Sequence, residues 1–141
     1  MSSRAEPDVP VFSIRLPVRW GDQDTNNHVN NVSYFRYLEE ARVQWMLRCG
    51  VLEDVFKPVA VTLGATFLKS IEYPANLLIT NMISEVGRRS ISLTHQILDA
   101  DRPELLYAEG YAKLVWTDPA TGKSVPLPDK LLDALGLTRV E

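Results

Sequence analysis

Two carboxylates, a histidine and a run of amides fall within eight consecutive residues, Gly21-Asp22-Gln23-Asp24-Thr25-Asn26-Asn27-His28. A helical pattern begins just beyond them, with Asn30 or Asn31 as a good N-cap. A helix N-terminus presents unpaired N–H groups and about half a positive charge. A carboxylate beside it can therefore serve as a nucleophile or base next to donors that would hold a developing oxyanion. It can equally cap the helix or sit in a solvated turn. Spacing alone leaves both readings of Asp22 and Asp24 open.

Other residues that could do chemistry fall away. Gly64 to Ser70 ends in the Lys-Ser of a phosphate loop but lacks the Gly before Lys69, and it lies within a strand pattern. Asn31-Val32-Ser33 spells a glycosylation sequon that reads as a helix start. No Gly-x-Ser-x-Gly elbow exists, which argues against a serine hydrolase. The two histidines, His28 and His95, are far apart and neither has a zinc spacing with a carboxylate. His95 alternates with Ile91, Leu93 and Ile97 and reads as a packed histidine.

The elements that must position the loop follow from periodicity. Phe12, Ile14, Leu16, Val18 and Trp20 alternate with polar residues, which predicts a strand with one buried face. Pro17 cannot donate to a ladder, so that strand belongs at an edge or carries a bulge. The helix runs to about Cys49, with Arg48 in its last turn and Gly50 as the stop. Tyr34, Leu38, Ala41 and Trp45 form an apolar row, and Phe35, Tyr37, Met46 and Leu47 widen it nearly all round. Period-two segments return over Val59–Leu68, Leu77–Val86, Ser90–Leu98 and Leu105–Trp116. Gly87-Arg88-Arg89 predicts a tight hairpin, and Asp101-Arg102-Pro103 a looser one.

In the last strand Leu106, Ala108, Gly110, Ala112, Leu114 and Trp116 make one face, whose small centre would admit a helix. Tyr107, Glu109 and Lys113 make the other. A short helix over 129–135 closes the pattern, begun by Pro128 and stopped by Gly136. The order is strand, long helix, four antiparallel strands, short helix. The fold class is α+β, a curved five-stranded antiparallel sheet wrapped around one long central helix.

Bulk properties bound the partners. The chain has 141 residues and a net charge of −3 with no basic run, which fits one domain over 11–141 and speaks against nucleic acid. Residues 1–10 read as a flexible polar lead-in without a signal peptide's apolar core. No apolar stretch is long enough for a membrane span. The lone Cys49 excludes an intrachain disulfide, and a reducing, cytoplasmic setting is the expectation.

The run Arg19 to Asn31, with Tyr34, Tyr37, Glu39, Ala41 and Arg42, resembles the signature of hot-dog acyl-CoA thioesterases of the 4-hydroxybenzoyl-CoA thioesterase type. The likeness continues through Phe67 to Pro74, Gly87-Arg88-Arg89-Ser90, Ala108-Glu109-Gly110 and Val125-Pro126-Leu127-Pro128. It implies hydrolysis of an acyl-CoA thioester to a free acid and CoA, with no metal or bound cofactor. By that resemblance Asp24 is the catalytic carboxylate, as nucleophile or general base. The backbone N–H of Asn31, seven residues on, polarises the thioester carbonyl. His28, Tyr34, Arg88, Arg89 and Ser90 are the implied substrate contacts, the two arginines reaching the CoA nucleotide.

The family often has Gly where this chain has Asn27, and Asn tolerates the left-handed conformation better than most residues. The fold's other chemistry, hydration of enoyl thioesters, uses an Asp and a His at a set spacing with an Asn-Pro. Here His28 lies four residues from Asp24 and six from Asp22, and Asn-Pro is missing. A rival from a different class is a non-catalytic acyl-CoA or acyl-carrier binding module. A sheet wrapped on one helix leaves an open edge, so a homodimer or a homotetramer built as a dimer of dimers is expected.

Overall fold

A computed structural model describes residues 11–137; the expected lead-in at 1–10 lies outside the described residues. Strand β1 (Phe12–Pro17) is followed by a single 3-10 turn at Trp20–Asp22 and by helix α1 (Asn31–Cys49). Strands β2 (Lys57–Phe67), β3 (Asn76–Val86), β4 (Ser90–Asp99) and β5 (Leu106–Thr117) come next, and helix α2 (Asp129–Ala134) closes the chain. All pairings are antiparallel, in the spatial order β1-β3-β4-β5-β2. The expected five-stranded hot-dog architecture is present. No helix among the described residues is long and apolar enough to cross a membrane.

Local chemistry explains why α1 begins and ends where it does. Asn30 is extended, and its side chain accepts the Val32 N–H at 2.8 Å. Gly50 ends the helix in the left-handed conformation at φ 76°, donating back to Met46 and Leu47. The small centre of β5 does admit the helix. A Cβ added to Gly110 would stand 2.5 Å from Leu38 Cδ1, so α1 rests almost on the strand backbone there.

Three sequence expectations change. Trp20 was expected on the buried face of β1 but is 74% exposed. The strand stops at Pro17, and the 3-10 turn that follows breaks the alternation. Tyr107 was expected to face away from the helix but is buried with the core. Ile97 and Leu98 of β4 pair with Ala108 and Leu106, so Tyr107 is an extra, bulged residue of β5, and both Tyr107 and Ala108 turn inward. Leu47 was expected to extend the buried ring of α1, yet it is exposed, so the helix is open on that side. Pro17 behaves as anticipated, since β1 is one edge of the sheet.

Edge strand β2 is unlike the others. Its apolar residues Val59, Val61, Leu63 and Phe67 are all exposed. Leu63 and Phe67 pair with Ala112 and Ala108, so they sit on the face of the sheet that carries the helix. Even there α1 does not cover them.

His95 lies at the middle of the sheet, fully enclosed. Its Nδ1 is 2.8 Å from Oδ1 of buried Asn81, whose amide donates to the Ala41 carbonyl of α1 at 3.0 Å. Nε2 has no partner. Burial, reinforced by the nearby Arg42 cation, pulls the imidazole down to about 3. The unfolded chain takes up this proton near pH 6.5. The unfolded state therefore binds more protons between those values, and stability falls as pH drops from 6.5 toward 3. Urea denaturation at pH 7 and pH 4.5 should show this loss, and His95→Gln should remove most of the difference. An equal difference in the variant would assign the slope to other groups.

Candidate active site

The loop that carries Asp24 is a miniature hairpin. Its base is closed by the Asn30 N–H donating to the Asp22 carbonyl at 2.9 Å, and its middle by the Asp24 N–H donating to the His28 carbonyl at 2.8 Å. Gln23 and Val29 pair between them. At the tip the Asp24 side chain accepts the Asn26 N–H at 2.8 Å, and the Asp24 carbonyl accepts the Asn27 N–H at 3.1 Å. Asn27 has φ 61°, the left-handed conformation expected where relatives carry glycine. One Asp24 oxygen is thus held by the backbone, and the side chain is exposed at the surface of this chain.

Asp22 and Asp24 divide the two roles that spacing left open. Asp22 is buried. Its Oδ2 accepts the Arg19 N–H at 3.0 Å and the Tyr37 hydroxyl at 2.8 Å, and its Oδ1 accepts from the Arg19 guanidinium at 3.1 Å. Burial works against its charge, but these donors outweigh it and hold the carboxyl below the ordinary carboxylate range. The same contact, added to burial, drives the Tyr37 phenol far up. A carboxylate so fully bonded is a structural fastener. Asp24 is the one left facing outward.

The helix supplies the donor. Asn30 takes the N–H of Val32 with its side chain and that of Ser33 with its carbonyl. Among the described residues the Asn31 N–H has no partner, and it stands at the positive end of α1.

A second segment, 68–75, is strapped over this end of the helix. Val29 N–H donates to the Ile71 carbonyl at 2.8 Å, and both Leu68 and Lys69 N–H donate to the Tyr107 carbonyl. The Tyr34 hydroxyl accepts from Ile71 N–H and donates to the Lys69 carbonyl, each at 3.3 Å. Tyr34 is buried and its ring meets Phe67 edge-on at 4.9 Å. Its polar tip is therefore occupied by backbone, with only the ring left for a substrate. His28 is half-exposed at the rim, with Nε2 3.6 Å from Glu72 on the strap.

Asp24, His28, Asn31 and Tyr34 thus share the N-terminal end of α1. Arg88, Arg89 and Ser90 do not join them. Leu127 N–H donates to the Arg88 carbonyl, and Arg89 bonds Ser124, beside the C-terminal end of α1. β3 separates the two groups, and its 11 residues span about 36 Å. Both arginine side chains are exposed. Sequence reading missed Arg19 and the fastening role of Tyr37, whose contact with Asp22 joins positions 15 residues apart. It could have found Tyr37 only by asking what a buried Asp22 would need.

A family model described as the thioesterase-like superfamily matches residues 18–135. Among solved structures, a candidate thioesterase from Pseudomonas aeruginosa is 38% identical with a TM-score of 0.86, over 90% of this chain and 99% of that one. A candidate acyl-CoA thioesterase from Xanthomonas campestris is 32% identical with a TM-score of 0.76, over 84% and 100%. A 1,4-dihydroxy-2-naphthoyl-CoA thioesterase from Synechocystis shares the fold with a TM-score of 0.80 at 18% identity, over 89% and 95%. No curated protein matches the chain.

Replacing Tyr37 by Phe removes one donor from a buried carboxylate, which costs about 1.5–3 kcal/mol for a hydrogen bond to a charged group. Urea denaturation of Tyr37→Phe should show a loss of that size. A loss under half a kcal/mol, on the order of an ordinary surface change, would mean that Asp22 is fastened by Arg19 alone.

Proposed function

The chain belongs to the thioesterase-like superfamily and is a thioester hydrolase, and from that premise we propose that it cleaves acyl-CoA with Asp24 as the reacting carboxylate. The observation that carries this reading is the division of labour between the two carboxylates. Asp22 is buried and saturated, while Asp24 is exposed on a braced loop beside a helix end with an unpartnered N–H.

Asp24 attacks the thioester carbonyl carbon, or takes a proton from a water that does. The carbonyl electrons move onto oxygen, where the Asn31 N–H and the helix dipole stabilise the negative charge. The carbon–sulfur bond then breaks, and its electron pair leaves with the CoA sulfur. A thiolate is a good leaving group, so no strong general acid is needed. Water supplies the oxygen of the released acid in either route, directly or by hydrolysing the acyl–Asp24 anhydride. His28 lies at the rim, where it can contact substrate. No metal or bound cofactor enters the scheme, and a cytoplasmic setting suits it.

Asp24→Asn keeps the shape and can still accept the Asn26 N–H, but it loses the charge. Release of free thiol from acyl-CoA should fall on the order of 100-fold or more in kcat, with the melting temperature little changed. If most of the rate survives, Asp24 is structural and the non-catalytic binding module becomes the better reading.

The site also depends on assembly. The hairpin arginines are too far from Asp24 in one chain to hold the same substrate. Pairing of two β2 edges in antiparallel fashion would cover the exposed Val59, Val61 and Leu63. It would also turn the second copy's hairpin toward the Asp24 end, as a two-fold requires. We infer a homodimer of this kind, alone or within a dimer of dimers, with Arg88, Arg89 and Ser90 serving the neighbour's site. Guanidinium forks suit the phosphates of the CoA nucleotide. Arg88→Ala/Arg89→Ala should raise KM for acyl-CoA more than it lowers kcat, and should spare acyl-pantetheine. Co-expression with Asp24→Asn chains should rebuild one intact site per mixed dimer, giving more activity at low acyl-CoA than the two parents summed. Strict additivity would place hairpin and carboxylate in one chain's site or in none.

A further inference from the structure

One face of α1 carries a feature the reaction leaves unused. Asn31, Phe35, Leu38 and Arg42 recur at i, i+4, i+7 and i+11, so they lie along a single stripe of the helix. The stripe looks toward β2, because Phe35 meets the Phe67 ring edge-on at 6.4 Å. It begins at the unpartnered Asn31 N–H and passes apolar Phe35 and Leu38. It ends on Arg42, which is only 6% exposed.

Among the described residues the Arg42 side chain has no hydrogen-bond partner and no carboxylate within 4 Å. Glu39 is near enough to be felt, but it does not pair. His95 beneath it is neutral and offers no charge. The guanidinium nitrogens are not among the fully buried unpartnered atoms, so they keep a narrow opening to solvent. A cation so nearly buried without an anion is costly, since buried charges are ordinarily paired.

We propose that Arg42 is a subsite for the far end of the acyl group, and that the preferred substrates are acyl-CoAs bearing a terminal carboxylate. The proposal rests on the thioesterase reading above for the placement of the thioester at Asn31. Eleven helical steps from Asn31 to Arg42 are about 16 Å. The Arg42 side chain leans back toward the helix N-terminus and shortens that span. A linear acyl chain of medium length would lie along Phe35, Leu63 and Phe67, past the point where Leu38 packs onto Gly110, and these rings and methyls match its methylenes. Its terminal carboxylate would then meet the guanidinium fork, which can donate two parallel hydrogen bonds. The CoA phosphates are a poorer fit. They belong at the wet end of the substrate, and this cation is enclosed at the end of an apolar stripe.

The test compares suberoyl-CoA with octanoyl-CoA, which match in chain length and differ in the terminal carboxylate. Wild-type kcat/KM should favour suberoyl-CoA. Arg42→Met, which keeps the length and drops the charge, should reduce the ratio of the two kcat/KM values by about tenfold or more. Arg42→Lys should keep part of the ratio. The matching acyl-pantetheines should show the same change, since no phosphate is involved.

Binding of free suberate and octanoate, followed by calorimetry, reads the subsite without any turnover. If wild type hydrolyses neither thioester yet binds suberate in an Arg42-dependent way, the subsite stands and the catalytic reading falls. If both thioesters are cleaved with the same ratio in wild type and Arg42→Met, the subsite is wrong and the catalytic reading survives. If Arg42→Met depresses both substrates alike and shifts the oligomer toward monomer, Arg42 pairs with a second copy, and the proposal is overturned. Loss of the effect on acyl-pantetheines would reassign Arg42 to the nucleotide and overturn it equally.

Discussion

The loop that we propose carries the reaction is positioned by a carboxylate to which the proposal gives no chemistry. Asp22 is buried at the point where the chain leaves β1, and three donors from Arg19 and Tyr37 hold it there. Because Tyr37 belongs to α1, the contact couples the loop's first residue to the helix. The Asp22 carbonyl meanwhile receives the Asn30 N–H at the other end of the loop. Both ends of the seven-residue stretch between Asp22 and Asn30 are therefore referred to one helix. Such fixing matters because electrostatic stabilisation of an oxyanion depends on donors already aimed, with little reorganisation left to do. Under the proposed mechanism the arrangement also accounts for a second carboxylate two residues on. The carboxylate that braces the loop is fully bonded and cannot also be the one that reacts.

Much of this was readable before any coordinates. Caps and stops are local chemistry, so the Asn30/Asn31 pair, Arg48 and Gly50 located α1 to within a residue of its observed bounds. The small face of β5 predicted a close helix, and Gly110 under Leu38 is that contact. Asn27 in the left-handed region fits the glycine that the resembled family often has there, a conformation Asn tolerates. What escaped depends on register or on partners distant in sequence. Tyr107 turned inward because it is the extra residue of a bulge in β5, set by how β5 pairs with β4, and alternation counted along the sequence does not reveal where a ladder skips a residue. Trp20 was misplaced because the end of a strand is set by the turn that follows it.

The site shows the same boundary between local and distant. Spacing showed two carboxylates ahead of a helix start, and only the resemblance singled out Asp24 and Asn31 among them. The strap at 68–75 was visible only as part of the resemblance, although Tyr34 and Val29 fasten it over the site through hydrogen bonds. Tyr34 shows how a motif residue can carry a structural task that the motif does not announce. Its place in the motif implied substrate contact, yet its hydroxyl is already committed to Lys69 and Ile71. Arg42 stood in the motif with no assigned role. Only its burial without an anion gives it one, and burial is a property of the packed chain.

The isolated chain carries three unfinished features, and they lie toward the same side. β2 exposes apolar residues along an edge with unpaired backbone groups, which is a hazard for a protein that remains single. The Arg42 stripe opens toward that strand. The cations of the hairpin sit at the opposite end of the sheet from the carboxylate they would serve. A two-fold through the β2 edge addresses the first and the third together, because antiparallel pairing both buries the edge and exchanges the ends. It also roofs the stripe, giving it the low polarity in which a single guanidinium can select one carboxylate strongly. On this argument the uncovered edge, the distant hairpin and the enclosed cation have a common cause. In the proposed dimer the fold supplies half of a binding site and symmetry supplies the other half.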